Sequence, residues 1–176
     1  SAASDVYKRQ AKHLGAMLLG MTDQNLYTAG DYDTVIRNLR KNQIDLASKI
    51  AEMQEKKKGF AAAAKNLQLC KTYRSVWLEY TRLPLNQKTE FYATHSQELQ
   101  AYHSAAAKLE KEGVDQSVEP EKVIALAEGV EQRIEELKAQ MEEASKQEEK
   151  IVEEQQTVVQ IQNCESNRRD SEIAVM

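Results

Sequence analysis

The sequence predicts an all-α protein: an elongated helical hairpin or bundle with long, coiled-coil-like helices. The chain has only two prolines and six glycines among 176 residues, and it is dominated by Lys, Glu, Gln, Ala and Leu, which are strong helix formers. Apolar residues return every three or four positions, which is the period of one helix face. Aromatic residues make up only 6% of the chain, which favours a narrow seam or thin bundle over a thick globular core.

The N-terminal residues 1–10 read SAASDVYKRQ. This stretch resembles translated sequencing-adapter sequence, so we expect a non-native leader here and exclude it from the fold prediction. Residues 11–30 are predicted to form a short linker helix, with Leu14, Met17, Leu18 and Met21 on one side. The following stretch, Gly30–Asp33, supplies a turn and a candidate N-cap for the next helix.

A long helix is predicted from about Asp33 to Arg82. Its apolar positions follow a heptad seam, with Gln43 and Lys57 as polar exceptions; they are Ile36, Leu39, Leu46, Ile50, Met53, Phe60, Ala64 and Leu67. Gly59 inside this helix costs roughly 1 kcal/mol relative to alanine. Helix formers on both sides favour a continuous helix, and a break at Lys58–Gly59 is the alternative.

From Leu69 onward the apolar stripe of this helix moves to a new face. Its members are Tyr73, Val76, Tyr80 and Leu83. Such a shift is expected where a two-helix seam gives way to a bundle with a different neighbour. A third helix is expected to cover this aromatic stripe.

Proline and glycine separate the remaining helices. Pro84 ends the long helix, and a third helix is predicted over Lys88–Glu112, with a buried face of Phe91, Tyr92, His95, Leu99, Tyr102, Ala106 and Leu109. Residues 113–119 (GVDQSVE) form a loop. Pro120 suits the first position of a fourth helix, which is predicted to reach Asn163 or beyond.

The fourth helix carries a second long seam. Glu148 and Gln155 interrupt it, and its apolar members are Val123, Ala127, Val130, Ile134, Leu137, Met141, Ala144, Ile151 and Val158. Long helices gain most of their stability by burying an apolar face. We therefore expect the two long helices to pack together, making residues 31–165 one coiled-coil or bundle region. Residues 166–176 are predicted to be a disordered tail.

The two halves of the chain differ in charge. Residues 31–90 carry 12 Lys/Arg against 7 Asp/Glu, whereas residues 119–154 carry 5 against 12. One interpretation is that the halves lie side by side and their flanking charges complement each other. The alternative is that the basic half contacts a phosphate backbone, for which the candidate residues are Arg37, Arg40, Lys41, Lys56, Lys57 and Lys58.

Motifs that carry chemistry are missing from the sequence, which predicts no enzyme, no metal site and no cofactor. There is no GxSxG, P-loop, GxGxxG or HExxH pattern. His95 and His103 are about 80° apart around one helix, and His13 is remote from both. The glutamate pairs suit a solvated helix face, and the tyrosines lie on apolar stripes. Cys70 and Cys164 suit reduced thiols in a cytoplasmic protein, and no apolar run reaches the roughly 20 residues of a membrane span.

The stretch Cys70–Leu109 resembles the C-terminal helical region of relaxase/mobilisation proteins of conjugative plasmids and transposons of the Firmicutes type. The positions that match that region are Tyr73, Arg74, Tyr80, Lys88, Phe91, Tyr92, His95, Glu98, Tyr102 and Ala105 to Ala107. Residues 14–32 are also similar to the segment that joins the family's nuclease domain to its tail. The acidic fourth helix departs from the uniform positive charge expected of this region.

This resemblance implies a noncatalytic helical tail that serves DNA transfer through partner or DNA contacts. The family's catalytic tyrosine and metal-binding histidine triad would belong to an upstream nuclease domain, so no catalytic residue carries over. Expected partners are mobilisation-complex proteins or a second copy, with DNA contacted through the parent protein. The alternative is a structural coiled-coil spacer or oligomerisation module unrelated to DNA.

Overall fold

The computed structural model describes residues 28–175, which form three α-helices. Helix α1 spans Ala29–Arg82, α2 spans Leu85–Glu112 and α3 spans Pro120–Val175. No strand occurs within residues 28–175, and the all-α prediction is confirmed. The predicted leader and nearly all of the predicted linker helix lie outside the described residues. The described residues divide into two compact units: unit 1 contains residues 28–50 and 136–175, and unit 2 contains Ala51–Glu135.

Helix α1 begins at Ala29, four residues before the predicted start at Asp33. Thr28 precedes the helix, and its backbone N–H donates a hydrogen bond of 3.0 Å to Asp31 Oδ2. The Thr28 hydroxyl donates to the same oxygen at 3.1 Å. This is half of a capping box, in which the third helical residue reaches back to the cap. Asp31 therefore lies inside the first turn, where its charge also suits the helix dipole.

Gly113 ends α2 in the left-handed conformation, with φ 69°. Its N–H donates to the Glu110 carbonyl oxygen at 3.1 Å, and the Val114 N–H donates to the Leu109 carbonyl oxygen at 2.9 Å. These two bonds define a Schellman motif, which satisfies carbonyl groups that have no partner within the helix. Pro120 then begins α3, where its missing N–H costs no helical hydrogen bond.

Both long helices continue through positions at which the sequence allowed a break or an end. Helix α1 runs through Gly59 without a break. Helix α3 continues beyond Asn163, as the prediction allowed, and reaches Val175, so the tail from residue 166 that was predicted to be disordered is helical up to that residue. Neither proline nor glycine follows Gly129 in the sequence, and Arg168 Nε lies 3.6 Å from Glu172 Oε1 in an i,i+4 pair. The side chains of residues 160–175 are exposed, so this part is held by backbone hydrogen bonds and local pairs.

In unit 1, α1 and α3 run antiparallel and enclose a narrow apolar seam. Its core cluster joins four buried residues of α1 to Ile151 of α3; the four are Tyr32, Val35, Ile36 and Leu39. Further along the seam, Leu46 and Ile50 of α1 and Leu137 and Ala144 of α3 are also buried, and Met141 is half-buried. The seam residues that the heptad pattern assigned to this unit therefore lie on the inner faces of the two helices.

Unit 2 has a wider core because all three helices contribute to it. The buried cluster contains Ala63, Ala64, Leu67 and Cys70 of α1, Tyr102, Ala105 and Leu109 of α2, and Val123 of α3. Among the other seam residues of this unit, Ile134 is buried, while Met53, Phe60 and Val130 are half-buried. The alanine side chains occupy little volume, which leaves room for the large Tyr102 and Leu109 side chains.

The buried face of α2 changes partway along the helix. Leu99, Tyr102 and Leu109 are buried as the sequence predicts, whereas Tyr92 is 40% exposed. Helix α2 also begins at Leu85, three residues before the predicted Lys88. His95 has φ −115° and ψ 21°, outside the helical range. This kink breaks the 3.6-residue phase, so the predicted stripe does not continue from Leu99 back to Tyr92.

The core of unit 2 predicts a large cost for truncating Leu109, which is 0% exposed. Leu109→Ala should lower the free energy of unfolding by about 2–5 kcal/mol, because it removes buried methyl groups and leaves a cavity. Leu126→Ala is the matched control, because Leu126 is 55% exposed, and it should change the free energy by less than about 0.5 kcal/mol. Urea titration followed by circular dichroism measures both. Equal losses would contradict the assigned core.

The two glycines 59 and 113 should respond to alanine with opposite signs. Neither added Cβ would meet an atom within 4 Å, so backbone conformation decides the outcome. Gly113→Ala should destabilise the protein by about 1–2 kcal/mol, because L-residues are strained at positive φ. Gly59→Ala lies within a regular helix and should stabilise it by up to about 1 kcal/mol. Thermal unfolding of the two variants checks the signs, and a lowered melting temperature for Gly59→Ala would contradict a continuous α1.

Candidate interaction surfaces

Opposite charges on α1 and α3 meet in both units. In unit 1, Arg40 Nε donates to Glu148 Oε1 at 2.6 Å. In unit 2, Lys57 Nζ donates to Glu131 Oε2 at 2.6 Å and Lys71 Nζ to Glu119 Oε2 at 2.9 Å. At these positions, cations of the basic half therefore pair with carboxylates of the acidic half of the same chain. Exposed pairs of this kind contribute little stability, on the order of 0–1 kcal/mol each.

The six predicted DNA-contacting cations divide into two groups. Arg40 and Lys57 are paired across helices, and Lys58 Nζ pairs with Glu55 Oε1 of its own helix at 2.7 Å. Lys56 lies 5.9 Å from the centre of the Phe60 ring. Arg37 and Lys41 are exposed and form no ion pair with any residue between 28 and 175.

Arg37 and Lys41 belong to a groove along the first turns of α1 in unit 1. The described residues that line it are Asp33, Ile36, Arg37, Arg40, Lys41 and Ile44. Ile44 is 69% exposed, whereas Ile36 is buried in the seam. The described lining of the groove therefore combines two isoleucines with three cations and one carboxylate. This composition favours an anionic group or an acidic surface as its ligand.

The polar residues that interrupt the predicted seam in unit 1 form hydrogen bonds to the facing helix. Gln43 Nε2 of α1 donates to Glu148 Oε2 of α3 at 2.6 Å, beside the bond from Arg40. Gln155 Nε2 donates to Asp33 Oδ1 at 2.7 Å and to the Ala29 carbonyl oxygen at 3.1 Å. The heptad pattern predicts interruptions of the seam at Gln43, Glu148 and Gln155, and each of these three side chains has a hydrogen-bond partner on the facing helix.

Glu148 of unit 1 is a largely enclosed carboxylate that accepts two side-chain hydrogen bonds. Its side chain is 19% exposed, and hydrogen bonds from Arg40 and Gln43 lower the pKa of this carboxyl below its ordinary value, against the opposing effect of burial. In unit 2, the hydrogen bond from Lys71 likewise lowers the pKa of Glu119, and the same contact raises the pKa of Lys71. Both carboxylates are therefore held in their charged form by the facing helix.

Aromatic side chains gather where α1 and α2 meet in unit 2. The Trp77 ring stacks on Tyr102, with centroids 5.2 Å apart and an interplanar angle of 20°. Tyr80 lies 6.2 Å from both Phe91 and Tyr92. Helix α2 thus covers the aromatic stripe of α1, as the sequence predicts. Trp77 lay outside that predicted stripe, although the spacing of four residues from Tyr73 could have identified it.

The described histidines lie against aromatic rings. The His95 ring is 4.3 Å from the Phe91 ring, and the His103 ring is 6.1 Å from Trp77. His95 Nδ1 is buried and forms no hydrogen bond within the described residues. Its closest charged neighbour is Glu98 Oε2, at 3.4 Å. His13 lies outside the described residues.

Cys70 and Cys164 are both free thiols. Burial raises the pKa of Cys70, although Arg74 opposes this, so Cys70 is a poor nucleophile at neutral pH. Within residues 28–175, no group of three or more His, Cys, Asp or Glu side chains is arranged to hold a metal ion. None of the helices described is both long and apolar enough to cross a membrane.

Comparison with protein-family models, curated proteins and solved structures finds no match to this chain. The architecture therefore has to be interpreted from its own geometry. That geometry consists of antiparallel helices with hydrogen-bonded polar seam residues and one cation-lined groove formed by described residues of α1. It also includes an aromatic corner between α1 and α2, formed by Trp77, Tyr80, Phe91 and Tyr102.

The lowered pKa of Glu148 predicts acid sensitivity in unit 1. Because this pKa is lower in the folded protein than the ordinary value of 4.5, the carboxylate adds stability above about pH 4.5, and this contribution is lost as the pH falls through the folded-state pKa. Glu148→Gln should therefore lower the unfolding free energy at pH 7, and the difference from the parent protein should shrink at about pH 3. Urea titrations at both pH values measure it.

Glu149→Gln is the control for this experiment, because Glu149 is exposed and its neutralisation removes the same charge from the neighbouring position. It should leave the pH dependence close to that of the parent protein. A Glu148→Gln protein that keeps the full difference from the parent at low pH would contradict a stabilising role for the ionised carboxylate.

Proposed function

We propose that this chain is a noncatalytic helical part of a relaxase/mobilisation protein and serves DNA transfer by contacting DNA or a partner protein. The observation that carries the proposal is the resemblance of Cys70–Leu109 to the helical region of such proteins. In this chain, that segment forms the last turns of α1, the Pro84 turn and most of α2. Its matching aromatic residues pack against each other where these helices meet. Such packing suits a scaffold that holds helices in place.

The contact surface that best fits this role is the groove of α1 in unit 1. Arg37 and Lys41 are exposed there, and Arg40 lies between them, with its charge shared with Glu148. Two exposed cations one helical turn apart on the same helix favour the phosphate groups of DNA as ligands. Arg37, Lys41 and Lys56 are therefore the contact residues that we retain from the six predicted ones, because the other three are engaged in ion pairs.

A structural coiled-coil spacer is the second candidate function. It is favoured by a separate observation, namely that half of the predicted DNA-contacting cations are already neutralised by carboxylates of the same chain. A spacer requires only paired helices and makes no use of exposed cations. The two candidates therefore differ in how the protein responds to DNA and to salt.

The DNA-contact proposal predicts binding that weakens steeply with salt. Fluorescence anisotropy with labelled duplex and single-stranded DNA, at several salt concentrations, measures the slope of log K against log salt. Arg37→Gln with Lys41→Gln should weaken binding and reduce the magnitude of that slope by about 1.4–1.8, because each lost phosphate contact removes about 0.7–0.9.

Lys108→Gln with Lys111→Gln is the matched control, because it removes two exposed cations from α2 and should leave the slope unchanged. An equal decrease in both double variants would indicate a general charge effect and contradict the groove. Absence of DNA binding at low salt would favour the spacer. Extending the reading frame upstream tests the family assignment separately, since a spaced histidine triad there supports it and an unrelated domain overturns it.

A further inference from the structure

Residues 71–98 of unit 2, which we call the hairpin tip, contain the last turns of α1, the Pro84 turn and the first turns of α2. Cys70 before the tip and Leu99 after it are buried, whereas every residue of the tip, all of them described, is half-buried or exposed. The tip nevertheless holds nine large apolar or aromatic side chains: Tyr73, Val76, Trp77, Leu78, Tyr80, Leu83, Leu85, Phe91 and Tyr92. Its apolar content therefore exceeds what its two helices cover.

The α1–α3 seam of unit 1 buries its apolar residues more completely than the tip does. In that seam, Leu39 and Ile151 are each only 1% exposed. In the tip, Leu78 is 41% exposed, Leu85 is 85% exposed and Tyr92 is 40% exposed. Exposed apolar side chains that gather in one region mark interaction sites, whereas singly scattered ones are ordinary. The tip therefore has the character of a surface that another molecule covers.

The row of α1 that carries Leu78 is covered nearer the core of unit 2. Lys71, Arg74 and Leu78 follow each other at steps of three and four residues, so they share one row of the helix surface. Lys71 Nζ donates to Glu119 Oε2 at 2.9 Å, and Arg74 Nη2 donates to the Gln116 carbonyl oxygen at 3.4 Å. The loop before α3 thus covers the first two members of the row and leaves the third exposed.

Unpaired cations accompany the exposed apolar residues of the tip. Arg82 lies one turn beyond Leu78 on α1, and Lys88 lies between Leu85 and Tyr92 on α2. Neither cation forms an ion pair within the described part of the chain. The apolar surface of the tip therefore has positively charged margins on both of its helices.

The carboxylates of the tip do not neutralise these margins. Glu79 is about 100° around α1 from Leu78, and Glu90 is about 140° around α2 from Leu85. Glu98 lies against His95 of its own helix, with Oε2 3.4 Å from Nδ1. A ligand that complements this surface therefore combines apolar and anionic groups.

An amphipathic helix with acidic flanks has both properties. Nucleic acid would use the cations, but its phosphates would leave aliphatic side chains such as Leu85 without an apolar partner. Helix α3 is itself rich in glutamate, and its Val123 packs against α1 and α2 in the core of unit 2. The same pair of helices therefore already accepts an acidic helix next to the tip.

We propose that the hairpin tip is a docking surface for an amphipathic helix with acidic flanks, supplied by a partner protein. The apolar stripe of that helix covers Leu78, Leu85 and Tyr92, and its carboxylates pair with Arg82 and Lys88. The docked helix extends the layer that α3 forms over α1 and α2. This inference uses no residue of the α1 groove in unit 1 and does not depend on DNA contact.

Fluorescence anisotropy with two labelled helical peptides and the full chain tests the proposal. Both peptides carry leucine at every third or fourth position, and the flanking positions are glutamate in one peptide and lysine in the other. The acidic peptide should bind more tightly than the basic one by roughly tenfold or more, because like charges across an interface are costly. Leu78→Ser with Tyr92→Ser should weaken binding of the acidic peptide by roughly tenfold or more, because apolar contacts are lost.

Two further variants make the outcome specific. Ile124→Ser with Leu126→Ser is the matched control, because these residues of unit 2 are 48% and 55% exposed and lie outside the tip, and it should leave the affinity unchanged. Arg82→Glu with Lys88→Glu should weaken binding of the acidic peptide and strengthen binding of the basic one. Circular dichroism checks that every variant keeps the helical content of the parent.

Several results would overturn the proposal. These are binding of neither peptide, equal affinity for both, or an equal loss in the two double serine variants. Light scattering that shows self-association of the parent, abolished by Leu78→Ser with Tyr92→Ser, would assign the tip to a second copy instead. Displacement of the acidic peptide by single-stranded DNA, with loss of DNA binding in the same variant, would assign the tip to nucleic acid and overturn the proposal equally.

Discussion

The structure depends on the burial of apolar helix faces against a second helix. Helices as long as α1 and α3, with 54 and 56 residues, expose an apolar stripe along much of their length unless another helix covers it. Local hydrogen bonding and residue propensity add little net stability in water. Each unit meets this requirement in its own way, with two helices enclosing a narrow seam in unit 1 and three helices enclosing an alanine- and aromatic-containing core in unit 2.

The interhelical charge pairs of this protein differ in how strongly solvent weakens them. Lys71 and Glu119 are each 55% exposed, so their pairing is weakened by water and salt. Glu148 differs because it is more enclosed and accepts from two side chains, one of them a neutral amide. Contacts of that kind depend on geometry, and a misaligned helix pair would lose them together.

Several of the aromatic residues on which the family resemblance rests pack in the aromatic corner between α1 and α2. Trp77 and Tyr80 project from α1 onto Tyr102 and Phe91 of α2, and Pro84 sets the turn between these helices. Large rings fill the space at a corner where two helices diverge, and they bury much area with few rotatable bonds. The matched residues of the segment are therefore explained by packing, so any relation to DNA transfer has to be tested on exposed surfaces such as the groove at Arg37 and Lys41.

The sequence by itself determined the helical class, the helix ends at Pro84, Gly113 and Pro120, and most of the buried faces. These features follow from local causes, namely the lost N–H of proline, the freedom of glycine at positive φ, and the 3.6-residue period. The start of α1 at Ala29 could also have been predicted locally, because the capping residues Thr28 and Asp31 are only three positions apart.

Only the tertiary structure decided which polar residues meet across the seam. Gln43 and Glu148 are 105 residues apart in the chain, and periodicity identifies the inner face of each helix without identifying the residue opposite. The same limit explains why Arg40, Lys57 and Lys58 looked available for DNA, since their carboxylate partners become known only once the helices are aligned or the rotamers are set. Local patterns fix which side of a helix is buried, and alignment of distant segments fixes what each buried polar group contacts.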